Sequence, residues 1–229
     1  MLNMEKTELL AKVPLFASLK STYLSEIASK VTVRNYRRGE AIFHKDDPGY
    51  ALYIIRKGQV KIHTSSPDGE ELILTILKDG DFFGELSLLD GRPRSATATA
   101  LDNIEVLMLH RDDLLDIVGR HAELAVDIMI ALSERLRRTN LLLEDSIFLD
   151  LPRRLCRRLL ELGEKHGFEM DKGIEIDLNL TQQDLAEIVG ASRVAVNRLL
   201  GLFQDMGLVS ISKKHIIILR PEELRKRIY

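Results

Sequence analysis

The spacing of apolar and polar positions divides the chain into parts of different period. Between residues 31 and 110 the apolar positions come in short β-rich runs. These are Tyr53-Ile54-Ile55, the alternating Val60-Lys61-Ile62-His63-Thr64, Leu72–Leu77, Ala96–Ala100 and Ile104–Leu109. Seven of the 14 glycines fall between Gly39 and Gly91, and up to Gly80 they recur every 9 to 11 residues. Runs of this kind, punctuated by turn residues at that interval, predict an all-β sandwich or barrel. Pro67-Asp68-Gly69 adds turn chemistry of its own. The expectation is an antiparallel jelly roll over residues 31–110. A helix over 14–30 covers it, with Leu19, Leu24 and Ile27 on one side.

The period then changes. Between Gly119 and Pro152 there is neither glycine nor proline, and the residues are good helix formers. Met129, Leu132, Leu136, Thr139, Leu143 and Ser146 follow the alternating 3–4 spacing of a coiled-coil seam. That spacing favours pairing of two chains over packing of the helix on its own domain, although two of the six positions are polar. From Pro152 onward helices alternate with short strands. Arg153–Lys165 is amphipathic, with Leu155, Leu159, Leu160 and Leu162 opposite Arg153, Arg154, Arg157 and Arg158.

Residues 181–201 read TQQDLAEIVGASRVAVNRLLG. Thr181 caps a first helix, with Asp184 three residues on as a short capping-box variant. That helix runs to Val189, and Gly190 supplies the turn. Ser192 caps a second helix from Arg193 to about Met206. Counted from Gln182, the small Ala186 is fifth, Gly190 ninth and the β-branched Val196 fifteenth. The small residue permits a close helix crossing and Val196 fills the angle, an arrangement that predicts a helix-turn-helix. An ordinary helical hairpin is the competing reading, and the flanks weigh against it. Gly207–Ser212 and Ile216–Leu219 look like a two-stranded wing whose turn carries Lys213 and Lys214, placed for phosphate contacts. Arg193, Val194, Asn197 and Arg198 lie outside the Val196–Leu199–Leu200–Phe203 stripe. Arg can pair with guanine and Asn with adenine, whereas Val194 offers only an apolar contact, such as to a thymine methyl. Arg193 and Arg198 are expected to carry most of the contact energy.

Residues 82–100 read FFGELSLLDGRPRSATATA. A glycine followed by a short helical turn from Gly84 to Leu89 presents backbone N–H groups suited to an anion. Arg94 adds a fork of donors. Glu85 is out of place beside a phosphate unless it accepts from a sugar hydroxyl while Arg94 and Ser95 hold the phosphate. The residues alone leave that reading level with an ordinary Glu85–Arg94 surface ion pair.

Charge changes the picture further. The 229 residues carry 33 Lys and Arg against 35 Asp and Glu, a net charge of −2. Residues 151–229 hold 14 basic against 11 acidic side chains, and residues 1–150 hold 19 against 24. A mildly basic C-terminal part therefore sits behind an acidic N-terminal one. The single cysteine, Cys156, excludes an internal disulfide, a thiolate metal cage and a Cys-ligated iron–sulfur cluster. No apolar run approaches the roughly 18 residues of a membrane span, and the start of the chain lacks a signal-peptide core. A cytoplasmic location without membrane attachment is expected.

Taken with these motifs, the chain resembles the cyclic-AMP receptor protein (catabolite activator) family of bacterial transcription regulators along essentially its whole length. FGELSLLDGRPRSA is similar to the family's phosphate-binding cassette. The resemblance implies Glu85 on the ribose 2′-hydroxyl and Gly84, Leu86, Arg94 and Ser95 around the cyclic phosphate, with Ser87 in the same cassette. Glu134-Arg135-Leu136-Arg137-Arg138-Thr139-Asn140 is similar to a family helix segment. It implies that Thr139 contacts the purine from the same subunit and Asn140 from the partner. The implied fold is α+β: an N-terminal antiparallel β jelly roll of the cyclic-nucleotide-binding type over 1–118, a dimerisation helix and hinge over 119–150, and a C-terminal winged helix-turn-helix over 151–229.

The implied function is that of a homodimeric, cyclic-AMP-controlled regulator, not an enzyme, that binds a pseudo-palindromic double-stranded DNA site and works with RNA polymerase. Thr181, Gln182, Ser192, Arg193, Val194, Asn197, Arg198, Lys213 and Lys214 make up the implied DNA-contacting set. Ligand binding would shift an equilibrium at the joint Phe148–Pro152, setting two recognition helices about 34 Å apart. One departure stands out. Relatives that read a TGTGA-type half-site have Glu, a cytosine acceptor, where this chain has Val194, so an altered half-site is expected. Cyclic GMP is the alternative ligand, because Ser95 can bond either nucleotide. A regulator of the same fold answering to another effector, or to none, is the alternative function. A cupin-like enzyme is more remote: it requires clustered metal ligands, and the six histidines are scattered along the chain.

Overall fold

The computed structural model describes residues 2–16, 18–212 and 215–228. The chain forms two units, Met1–Thr64 with Leu74–Arg138, and Ser65–Ile73 with Thr139–Tyr229. The first unit opens with α1 (Leu2–Leu10), a 3₁₀ turn (Pro14–Phe16) and α2 (Ser21–Lys30). The single covering helix expected over 14–30 is thus a turn and a shorter helix, with α1 ahead of it. Leu19, Leu24 and Ile27 are buried, as their spacing predicts.

Eight strands follow: β1 (Thr32–Tyr36), β2 (Ala41–Phe43), β3 (Ala51–Lys57), β4 (Val60–Ser65), β5 (Glu71–Leu77), β6 (Phe82–Phe83), β7 (Thr97–Ala100) and β8 (Ile104–His110). They form two four-stranded sheets in the orders β1-β8-β3-β6 and β2-β7-β4-β5. The strand pairs β1·β8, β3·β8, β3·β6, β2·β7 and β4·β7 are antiparallel.

β3, read from sequence as a β-rich run, is apolar on both faces. Ala51, Leu52, Tyr53, Ile54 and Ile55 are all buried, because both faces of its sheet are covered. Leu52 and Ile54 pack with α2 residues such as Leu24 and Ile27. Ala51, Tyr53 and Ile55 pack with Val60, Ala98 and Ala100 of the opposing sheet.

α4 (Arg111–Arg120) closes the roll and α5 (Ala122–Phe148) follows. The helix expected from residue 119 therefore starts at Ala122, and Gly119 and Arg120 form the last turn of α4. On α5, Met129, Leu136 and Leu143 of the predicted seam are exposed, together with Val126, Ile130, Leu141, Ile147 and Phe148.

In the second unit α6 (Leu151–His166) begins at Asp150, whose side chain accepts from Arg153 N. Then come β9 (Gly167–Met170), β10 (Gly173–Ile176), α7 (Gln182–Val189), α8 (Arg193–Asp205), β11 (Val209–Ser212), β12 (His215–Ile218) and α9 (Pro221–Lys226). The four strands form one sheet, β11-β12-β10-β9. The predicted wing is the β11–β12 hairpin, and its tip, Lys213-Lys214, lies outside the described residues. The β9–β10 hairpin and α9 were not anticipated. Cys156 is buried, and that burial pushes its thiol pKa up to about 11, which suits a packing role.

The sequence reading is corrected at Arg158. It was placed on the solvated face of α6, yet its side chain is 7% exposed and donates to Asp145 at 2.8 Å and to Glu161 at 2.5 Å. Arg157 also pairs with Asp145, whose side chain is 2% exposed. A buried carboxylate on the last turns of α5 thus holds two guanidinium groups of α6. Removing one partner of such a buried group leaves an uncompensated charge. Asp145→Ala is therefore expected to lower stability by about 3 kcal/mol in urea denaturation followed by circular dichroism. A loss below about 1 kcal/mol would contradict the role given to this cluster.

Candidate functional site

The cassette predicted at residues 83–96 is built around a buried cation. β6 is followed by Gly84, whose φ of +85° starts α3 (Glu85–Asp90) in a conformation that suits glycine. Arg94 is 4% exposed. One terminal nitrogen, Nη1, donates to the Gly84 carbonyl at 2.6 Å and to Ser87 Oγ at 2.9 Å. The other, Nη2, donates to the Ala51 carbonyl at 2.7 Å. The guanidinium lies 4.2 Å from the centroid of the Phe43 ring, a cation–π arrangement. Its main chain is held as well: Arg94 N donates to the Asp47 carbonyl and Asp46 N to the Arg94 carbonyl. Burial draws the Arg94 pKa down, with Tyr53, Glu85 and Asp47 acting in the opposite sense. The group nonetheless stays charged at any physiological pH.

Glu85 is 3% exposed. Its partner is Arg135 of α5, which also donates to the Phe82 carbonyl and lies over the Phe82 ring at 4.8 Å. The surface Glu85–Arg94 pair entertained from sequence is therefore replaced by two separate arrangements, a buried one around Arg94 and a pair between buried Glu85 and the more exposed Arg135. Glu85 Oε2 and Arg94 Nε are both buried without a hydrogen-bond partner. One unmet acceptor and one unmet donor in a single cassette fit a ligand that combines a hydroxyl with an anionic group. Gly84, Leu86, Ser87, Arg94 and Ser95 line a recess of about 40 Å³, against the roughly 300 Å³ or more of small-molecule pockets. Leu86 and Ser95 are exposed at its rim. Thr139 and Asn140 are exposed on α5 and belong to the second unit.

Sequence reasoning quoted Arg135 within a motif but gave it no role, and it missed Phe43 and the Ala51 carbonyl. The signal for Arg135 was a cation on the helix face following the roll. Nothing local in sequence ties Phe43 or Ala51 to Arg94.

In the second unit the capping box is present. Asp184 N donates to Thr181 Oγ1 at 3.1 Å and Thr181 N to Asp184 Oδ2 at 2.8 Å. Gly190, with φ +70°, ends α7, and Ser192 Oγ accepts from Ala195 N at the start of α8. Ala186, Val196, Leu200 and Phe203 are buried, whereas Leu199 is half-buried. Arg193, Val194 and Arg198 are exposed on one helix, Val194 at 77%. Asn197 Nδ2 donates to Gln182 Oε1 at 2.8 Å, so these two side chains tie α7 to α8. Thr181 and Ser192 likewise act here as caps.

Two family models match the chain: a cyclic nucleotide-binding domain over residues 33–121 and a Crp-like helix-turn-helix domain over residues 153–227. A CRP-like cAMP-activated global transcriptional regulator of Mycobacterium tuberculosis is 34% identical, over 96% of this chain and 98% of that protein. A global nitrogen regulator of Synechococcus elongatus is 32% identical, over 85% and 89%. Among solved structures, the c-di-GMP responsive global regulator CLP of Xanthomonas campestris aligns with a TM-score of 0.77 and 25% identity, over 87% of this chain and 99% of that one. None of the helices is long and apolar enough to cross a membrane among the described residues.

Loss of the cap hydroxyl in Thr181→Ala is expected to cost about 1 kcal/mol of stability. Thermal unfolding measures it, and an unchanged midpoint would show that the capping box contributes nothing.

Proposed function

The chain belongs to the cyclic-AMP receptor protein family of DNA-binding transcription regulators with a cyclic nucleotide-binding domain, and from that premise we propose that it is a homodimer whose DNA binding is switched by cyclic AMP. It is a regulator, not an enzyme, as are the relatives it matches. The observation that carries the ligand reading is the pair of unmet polar atoms, Glu85 Oε2 and Arg94 Nε, in one buried cassette.

A cyclic nucleotide would bring a phosphate charge and a ribose hydroxyl to that cassette. Arg94 and Ser95, with Gly84, Leu86 and Ser87 beside them, hold the anionic end. Glu85 accepts from the hydroxyl. Because Glu85 is already paired with Arg135 of α5, its occupancy is felt on the helix that continues to Thr139 and Asn140. These two residues are assigned to the base, Thr139 from the same subunit and Asn140 from the partner. The exposed apolar positions Met129, Leu136 and Leu143 supply the seam on which two such helices pair. Ligand can shift the joint at Phe148–Pro152 only by binding the DNA-competent state more tightly.

On the DNA side, Arg193 and Arg198 reach base edges or phosphates, Val194 makes an apolar contact, and Lys213 and Lys214 meet the backbone. Gln182 positions Asn197 at the same surface, and Thr181 and Ser192 present the two helix starts. The double-stranded site is pseudo-palindromic, RNA polymerase is the further partner, and the place of action is the cytoplasm. A second reading, the same regulator answering to another effector, is favoured by the relatives. One is a nitrogen regulator and a structural neighbour is responsive to c-di-GMP.

Calorimetric titration with cyclic AMP and cyclic GMP tests the ligand. Tighter binding of cyclic AMP is expected, with a loss of at least about 100-fold in Arg94→Ala, compared with the unaltered chain at a temperature where circular dichroism shows both folded. Equal binding by that variant would move the ligand elsewhere, and silence with both nucleotides would favour the second reading. Selection of binding sites from random duplexes tests Val194. The expected site departs from TGTGA at the base pair a glutamate would read, and Val194→Glu restores preference there by about tenfold. Recovery of a strict TGTGA palindrome by the unaltered chain would contradict this.

A further inference from the structure

Gly49, in the loop between β2 and β3, is not in the cassette motif and was given no role by the sequence. Its φ lies outside the left-handed region, so conformation does not require glycine there. Space does. A Cβ at position 49 would stand 2.1 Å from Ser87 Oγ, 2.5 Å from Ser87 Cβ and 3.3 Å from Arg94 Cζ. Backbone flanks this point on the Arg94 side, since the same loop exchanges hydrogen bonds with the Arg94 main chain through Asp46 and Asp47. Ser87 is 3% exposed on α3 and has nowhere to retreat without leaving Arg94.

We propose that Gly49 and Ser87 form a steric interlock that positions the Arg94 guanidinium, and so sets the affinity of the cassette for its anionic ligand. Ser87 acts through Arg94. Its Oγ accepts from Arg94 Nη1 at 2.9 Å and faces the Gly84 carbonyl at 3.4 Å, so both polar directions of the hydroxyl are used within the protein. The missing side chain at position 49 is the room that the Ser87 side chain fills. Any residue larger than glycine at 49 displaces Ser87 and takes the hydrogen bond to Arg94 with it. The clash includes the Ser87 Cβ, so Ser87→Ala does not relieve it, whereas Ser87→Gly does.

The ligand part of this inference rests on the cyclic-nucleotide reading, and the test separates the two. Four full-length proteins are compared: the unaltered chain, Gly49→Ala, Ser87→Gly and the double variant. Cyclic AMP affinity is measured by calorimetry and the unfolding midpoint by circular dichroism without ligand. Each single variant is expected to weaken binding by about tenfold, the effect of losing one hydrogen bond to a charged group. The double variant is expected to bind nearly as Ser87→Gly does, because once the Ser87 side chain is gone only the 3.3 Å approach to Arg94 Cζ is left for Gly49→Ala to meet. The midpoints follow the same pattern, with Gly49→Ala lowering the midpoint of the unaltered chain but not that of Ser87→Gly. If Gly49→Ala alone fails to fold, recovery of folding in the double variant carries the same coupling. Losses that multiply in the double variant, or an unperturbed Gly49→Ala, overturn the interlock. If the unaltered chain binds no cyclic AMP, the ligand reading fails while the midpoints still decide the interlock.

Discussion

The constraint on which the N-terminal unit turns is the burial of one guanidinium. Arg94 cannot lose its proton, so its charge must be satisfied wherever it is placed. The jelly roll does this with carbonyls from two separate segments, Gly84 and Ala51, with the Ser87 hydroxyl and with the Phe43 ring. Much of the local architecture follows. Gly84 must take a left-handed conformation so that α3 starts with its preceding carbonyl turned to the cation. The β2–β3 loop must pair with the Arg94 main chain, and Gly49 must leave room for Ser87. A cation so enclosed, with one donor still unmet, is a fixed positive pole within the cassette.

A second ionic contact in this unit, buried Glu85 with the more exposed Arg135, connects the cassette to α5. In the other unit, Asp145 near the end of α5 holds Arg157 and Arg158 of α6. Both clusters place a carboxylate of low exposure against guanidinium groups. Buried ion pairs add little net stability compared with apolar packing, but they are costly to break and so favour discrete arrangements over graded ones.

Much of this was legible in the sequence, for identifiable reasons. The jelly roll was announced by glycine spacing, and the helix-turn-helix by the capping residues Thr181 and Ser192 around Gly190, because caps and turns are local chemistry. Misreadings arose where tertiary context overrides local pattern. Arg158 belongs by spacing to a solvated arginine face, and only the position of Asp145, 13 residues earlier, brings it inside. β3 is buried on both faces, so its period is erased. The break at His121 between α4 and α5 lies two residues beyond Gly119, the glycine from which the sequence pattern started the long helix. The bond from Asn197 to Gln182, 15 positions earlier, has no local signal in the sequence. Gly49 was invisible because its reason is the volume of Ser87, 38 positions away in the chain.

The central claim is that ligand in the cassette and DNA on α8 bias one equilibrium. Linkage then requires reciprocity. The most direct measurement is the affinity of the dimer for its selected duplex with and without saturating cyclic AMP, set beside the affinity for cyclic AMP with and without saturating duplex. The account predicts the same enhancement in both directions, on the order of 5- to 150-fold. Tight cyclic AMP binding that leaves DNA affinity unchanged would contradict it.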